Sequence, residues 1–276
     1  MHYHLFDTGH CLAWEHHLLH GAQRVRMECR ALATLLQHPT YGWIAWDTGY
    51  APRMLAATAH WPARLYRVAT PLRLQASQAL VEQLGQLQLQ PADIRMVIVS
   101  HFHADHVAGL LDFPHAQLVA TQSAWDDVVR RRGFAALRRG YLPTLIPADF
   151  APRAQLITTF ADAPLPILGP SHDLFGDGLL RLVPLPGHAR GQMGLLAQTA
   201  PGPILFAADG CWHSRAYREC RPPHPITRFL VDDMTAVHAT IKRLHEFSAA
   251  CPAVTIVPSH CPEIFARLVG GIMIKA

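Results

Sequence analysis

Short continuous runs of aliphatic and β-branched residues recur along the chain, and several of them stop on a histidine or an aspartate. Residues 94–99 lead through Ser100 to His101, residues 179–187 lead to His188, residues 204–208 to Asp209 and residues 254–259 to His260. Apolar runs of about four to eight residues bounded by turn residues predict buried strands. Residues 41–46 add another, ending on Asp47. Helical spacing alternates with these strands. Residues 74–87 carry apolar side chains at 76, 80, 84 and 87, and residues 122–139 place Trp125, Val128, Val129 and Leu137 toward a core. Asp232 or Asp233 begins a helix running to about Ala249, with Met234, Val237, Ile241 and Leu244 on one face. Residues 141–178, with prolines at 143, 147, 152, 164, 166 and 170, predict a loop holding one or two short strands.

No repeat or linker divides this alternation, so residues 1–276 read as a single domain. Half the residues are apolar and 16% are charged, which excludes a disordered chain. No apolar run approaches the roughly 20 residues of a membrane span. The opening Met-His-Tyr-His-Leu-Phe-Asp lacks a basic segment and a signal-type apolar stretch, so the expected location is cytoplasmic with no membrane partner. The net charge of +4 raises nucleic acid as a partner. The arginines that would bind it, 130–132 and 138–139, fall on the 122–139 helix without interleaved aromatics, the pattern of a solvated face. Six scattered cysteines lack C-x-x-C spacing and read as reduced thiols. Cys211 and Cys261 stand apart, because each lies within two residues of a candidate ligand.

The densest chemistry lies directly after the 94–99 strand, in Ser100-His101-Phe102-His103-Ala104-Asp105-His106. Neutral imidazole and carboxylate are the ligands that zinc and similar divalent ions take from protein. Alternate residues of an extended stretch point the same way, so His101 and His103 can meet on one ion while Asp105 and His106 turn toward a second. His188, Asp209 and His260, each at a strand end, bring the candidates to seven. One tetrahedral ion cannot use seven ligands, so two ions are expected.

The order H-x-H-x-D-H, then His188, Asp209 and His260, resembles the metallo-β-lactamase superfamily in its dinuclear hydrolase form. Within it the layout is most like the N-acyl homoserine lactonase (quorum-quenching lactonase) group. The matching features are His4-Leu-Phe-Asp-Thr-Gly-His-Cys11, Trp46-Asp47-Thr48-Gly49, Pro186-Gly187-His188, Ala208-Asp209 and a helix with Ile241-Lys-Arg-Leu before His260. The resemblance implies an αββα sandwich, an α/β layered architecture, covering nearly the whole chain. It implies one ion held by His101, His103 and His188, the other by Asp105, His106 and His260, and Asp209 bridging them. Asp47 matches a position that supports a ligand imidazole from behind.

Two cations sharing a water lower its pKa toward neutrality and polarise a carbonyl; Asp105, which binds one ion only, is the candidate proton shuttle to the leaving group. The implied reaction is opening of an N-acyl homoserine lactone, a small-molecule substrate. β-Lactam, thioester and general or aryl ester hydrolysis are the alternatives on the same centre. Zinc is the default metal, with manganese, iron or cobalt fitting the same cage; a homodimer is left open. Phe102, Trp14, Trp212 and Phe229 are candidates for an acyl channel. One departure stands out: the group has a tyrosine three residues after the bridging aspartate, where this chain has Trp212. Its indole can donate a hydrogen bond but cannot transfer a proton, and His213 and Tyr217 are the candidate replacements.

Overall fold

The computed structural model describes residues 1–269. Thirteen strands among them form two sheets. The first contains β1 (His2–Trp14), β2 (Arg26–His38), β3 (Gly42–Trp46), β4 (Leu72–Arg73), β5 (Ile94–Ile98), β6 (Gln117–Thr121) and β7 (Ala154–Ile157) in the order β4-β1-β2-β3-β5-β6-β7. The second contains β8 (Asp162–Leu165), β9 (Gly169–Asp173), β10 (Leu180–Pro184), β11 (Met193–Thr199), β12 (Gly202–Ala208) and β13 (Thr255–Pro258) in the order β13-β12-β11-β10-β9-β8. Strands β3, β5, β6 and β7 run parallel to one another, as do β12 and β13; the remaining pairs are antiparallel.

The strands are apolar on both faces because both faces are covered. Between the sheets, Leu32, Leu36, Ile44, Trp46, Met96, Ile98 and Val119 meet Leu180, Leu182, Met193, Leu195, Phe206 and Val257. On the outer face of the first sheet, Ala33, Leu35, Val97 and Leu118 pack with Leu80, Leu84, Val107, Leu110, Val128 and Phe150 from helical segments. On the outer face of the second, Val183, Leu185, Leu205 and Ile256 receive Val237, Ile241, Leu244 and Phe247 of the helix Met234–Ala250. Helix, sheet, sheet and helix are therefore stacked as four layers, the αββα sandwich. Each layer hides an apolar face that would otherwise meet water.

Three local expectations change. The helix expected over 74–87 is three short pieces, Ala76–Gln78, Leu80–Gln83 and Leu84–Leu87, separated at Ala79 by extended backbone (ψ 140°). Leu80 and Leu84 are still buried, so burial survives the break. The helix expected over 122–139 stops at Val129 and restarts as Gly133–Leu137, with Arg132 extended and Gly133 at φ +55°. Arg132 donates to the carbonyl of Val129, closing the first piece, and Val129 is turned out to solvent rather than inward. Residues 141–178 hold three strands rather than one or two. Pro164 is tolerated because β8, which contains it, is an edge strand with an unpaired side.

Candidate dinuclear metal centre

The parallel strands end at one edge of the sandwich, and their ends deliver the candidate residues. β3 leads to Asp47; β5 leads to Ser100, His101 and His103; the short helix Ala104–Val107 presents Asp105 and His106. The β10–β11 turn holds His188, β12 leads to Asp209 and β13 leads to His260. Two of these termini are in the left-handed region without being glycine: Asp47 at φ +54° and Ala208 at φ +46°. Such backbone costs on the order of 1–3 kcal/mol and persists where the surroundings enforce it. At Ala208 it coincides with an irregular β12–β13 register immediately before Asp209.

The side chains converge as two groups, His101–His103–His188–Asp209 and Asp105–His106–His260, each with its ligand atoms within 4.8 Å of one another. Asp209 joins them. Its Oδ2 is 3.0 Å from His188 Nε2, while its Oδ1 is 3.4 Å from His106 Nε2 and 3.1 Å from His260 Nε2. Asp105 Oδ2 lies 3.4 Å from His260 Nε2.

Behind the ligand atoms the rings are fixed from outside. His106 Nδ1 donates to Asp47 Oδ2 at 2.8 Å, and His260 Nδ1 donates to the Arg30 carbonyl at 2.5 Å. Asp47 also accepts from the Ser100 amide and the Ser100 hydroxyl, both at 2.8 Å. Ser100 Oγ is 3.0 Å from His101 Nδ1, so one serine ties the aspartate to a second imidazole. These contacts set the tautomers that leave each Nε2 facing the centre.

The residues fit divalent ions. His101 Nε2, His106 Nε2 and Asp209 Oδ1 are buried without a hydrogen-bond partner. Three such atoms within one centre would be costly in a folded protein unless something positive bound them. Burial and the neighbouring imidazoles hold His101 and His103 well below the usual histidine range, in the neutral form that ligates. Burial opposes charge at His260 too, but Asp209 and Asp105 outweigh it and push that imidazole up to about 9.

A family model described as the metallo-beta-lactamase superfamily matches residues 26–210, from the start of β2 to just past Asp209. The chain belongs to this superfamily. N-acyl homoserine lactonase AiiB of Rhizobium rhizogenes is 26% identical over 227 residues, 82% of this chain and 78% of that protein. A crystal structure of a B. thuringiensis AiiA variant with N-decanoyl-L-homoserine bound at the active site superposes with a TM-score of 0.73 at 17% identity, covering 95% of this chain and 93% of the other. AidC, described as a dizinc quorum-quenching lactonase, superposes at 0.66 with 13% identity over 94% and 87%. At these identities the two structures show the fold that this superfamily member shares with them.

The centre of this metallo-β-lactamase-fold chain opens into a cavity of about 500 Å³, a volume in the range of small-molecule sites. Asp105, His103, His188, Asp209 and His260 line it, and Trp14, Leu18, Leu65, Val68, Leu137 and Leu230 supply apolar walls. Of the four aromatic residues expected along an acyl channel, Trp14 and Trp212 line it. Phe102 is instead packed in the core against Trp125 and Phe150, and Phe229 is 63% exposed on a separate arginine-rich cleft.

Trp212 differs from expectation in its partner. Its indole N–H donates to Asp209 Oδ2 at 2.9 Å, so it steadies the shared carboxylate and is not offered to a substrate. His213 does not reach the cavity; its Nδ1 accepts from the Arg215 amide and caps the helix Ser214–Arg218. Tyr217 packs with the outer core of the second sheet. Cys211 and Cys261 are buried outside the ligand groups, and Ser214 donates to the Cys261 sulfur.

Sequence reasoning missed Ser100, Tyr50 and Tyr66. Both tyrosines line the cavity beside Asp105. Burial first, and the Asp105 carboxylate among the charges that add to it, hold both phenols well above their usual pKa, so they are hydrogen-bond donors. Ser100 had a signal, its position between the β5 run and His101. Tyr66, on a helix remote in sequence from every ligand, had none.

Proposed function

We propose that this protein is a dinuclear, zinc-dependent lactonase that opens N-acyl homoserine lactones. The observation that carries the reading is the Asp209-centred pair of ligand groups lining a largely apolar cavity. Homology supports it, since relatives named as N-acyl homoserine lactonases match four-fifths of the chain.

His101, His103 and His188 would hold one ion, Asp105, His106 and His260 the other, with Asp209 shared. Two ions bound there would lower the pKa of a shared water toward neutrality and polarise the carbonyl oxygen. The chain's own residues do the rest. Asp47 and Ser100 keep His101 and His106 oriented, and Trp212 holds Asp209. Asp105, lining the cavity, passes a proton to the departing ring oxygen. Tyr66 takes over the donor role to the substrate carbonyl that Trp212 cannot fill, and the aliphatic walls receive the acyl chain and exclude water.

A substrate panel tests this. Metal-replete protein is incubated with N-acyl homoserine lactones of increasing chain length, β-lactams, thioesters and aryl esters. Lactone opening should dominate, with kcat/KM rising about four-fold for each buried methylene, the equivalent of ~0.8 kcal/mol. Efficient cleavage of β-lactams or thioesters with no lactone opened at any chain length would overturn the substrate assignment.

A further inference from the structure

Cys11 and Cys29 are 18 positions apart in sequence yet directly opposite each other in the register of β1 and β2. Opposed residues on antiparallel strands have Cα atoms about 4.5–5.5 Å apart with side chains on the same face of the sheet. Here that face is the wall of the catalytic cavity: both cysteines line it, and both are free thiols. They stand near the Asp105–His260 side of the metal centre without belonging to either ligand group. Each is less than a tenth exposed. What approaches them comes through the cavity. None of the residues assigned to hydrolysis uses them.

We propose that Cys11 and Cys29 form a dithiol site, separate from the dinuclear centre, for electrophiles that take two thiolates at once, namely trivalent arsenicals and soft thiophilic cations, and that its occupation blocks the substrate cavity. The chemistry balances without a redox step. An arsenoxide condenses with the two S–H groups, forming two As–S bonds and releasing one water; a divalent soft cation forms two M–S bonds and releases two protons. Thiolates favour soft ions over the hard-ligand ions suited to imidazole and carboxylate, so the two sites discriminate by chemistry. Cys211 and Cys261 are enclosed in the core and do not line the cavity. Cys220, which is exposed, has no paired thiol in the register of a strand.

The probe is phenylarsine oxide, applied to the metal-loaded protein and read by native mass spectrometry, metal analysis and turnover of the substrate cleaved in the panel. The expected result is one adduct per chain, stable to excess 2-mercaptoethanol but removed by 2,3-dimercaptopropanol. Bound metal should be unchanged and turnover lost. Cys11→Ser and Cys29→Ser should each bind the arsenical about a hundred-fold more weakly, because the second bond loses its intramolecular advantage. An adduct of undiminished stability in both variants would overturn the site, as would a wild-type chain that takes no adduct resistant to monothiol. An adduct that leaves turnover intact would overturn the blocking role. The blocking clause rests on the hydrolase reading, whereas adduct stoichiometry does not, so failure of one is distinguishable from failure of the other.

Discussion

Asp209, just past the irregular end of β12, touches both halves of the centre. The roles proposed for the side chains around it are separable, and single substitutions should show them. In Asp105→Asn, kcat should fall by on the order of a hundred-fold or more with KM nearly unchanged, since proton transfer acts in the transition state; a raised KM at constant kcat would contradict the shuttle. Trp212→Phe removes the N–H from Asp209 Oδ2. It should weaken metal retention about ten-fold in competition with a chelator, whereas an indole that acted on substrate would shift KM and leave metal retention alone. Tyr66→Phe should lower kcat/KM by about ten-fold or more while both ions stay bound. The ligand candidates were legible in the sequence because histidine and aspartate at successive strand ends are a rare coincidence. Tyr66 and the cysteine pair were not, since their places depend on how distant segments meet across the cavity.

Strands were easier to read than helices. A fully buried strand is apolar throughout, so β5, β10, β12 and β13 announced themselves, whereas the 74–87 and 122–139 patterns are helical in burial but not in continuity. At residue 133 the interruption is a glycine in the left-handed region; at Ala79 it is extended backbone, and periodicity reports neither. The start of the helix Met234–Ala250 was legible because Asp233 caps it, accepting from the amides of Thr235 and Ala236. Asp233→Ala should cost about 1 kcal/mol in denaturant unfolding. The same helix packs on Gly187, which has φ +127° and whose added Cβ would stand 2.3 Å from the Val237 nitrogen. Gly187→Ala should therefore destabilise by about 1–3 kcal/mol and also displace His188. Chemical denaturation and metal content measured together would show both effects, and an unchanged ion count would separate packing from ligation.

At the scale of the molecule, the two sheets supply different candidate ligands to one centre. The first sheet gives His101, His103, Asp105 and His106; the second gives His188, Asp209 and His260. The layered architecture was expected from the resemblance and from the strand and helix alternation, and the structure has it. The extra strand in residues 141–178 escaped notice because proline density there suppressed a strand reading that edge positions permit. Because the centre draws on both sheets, ions bound there add their binding free energy to folding. The central claim is a pair of ions sharing Asp209, and metal analysis paired with turnover tests it most directly. Wild-type protein loaded to increasing metal content should hold two ions per chain, with hydrolysis appearing as the second is bound, and Asp209→Ala should lose an ion together with activity. Full hydrolysis with one ion per chain, undiminished in Asp209→Ala, would contradict it.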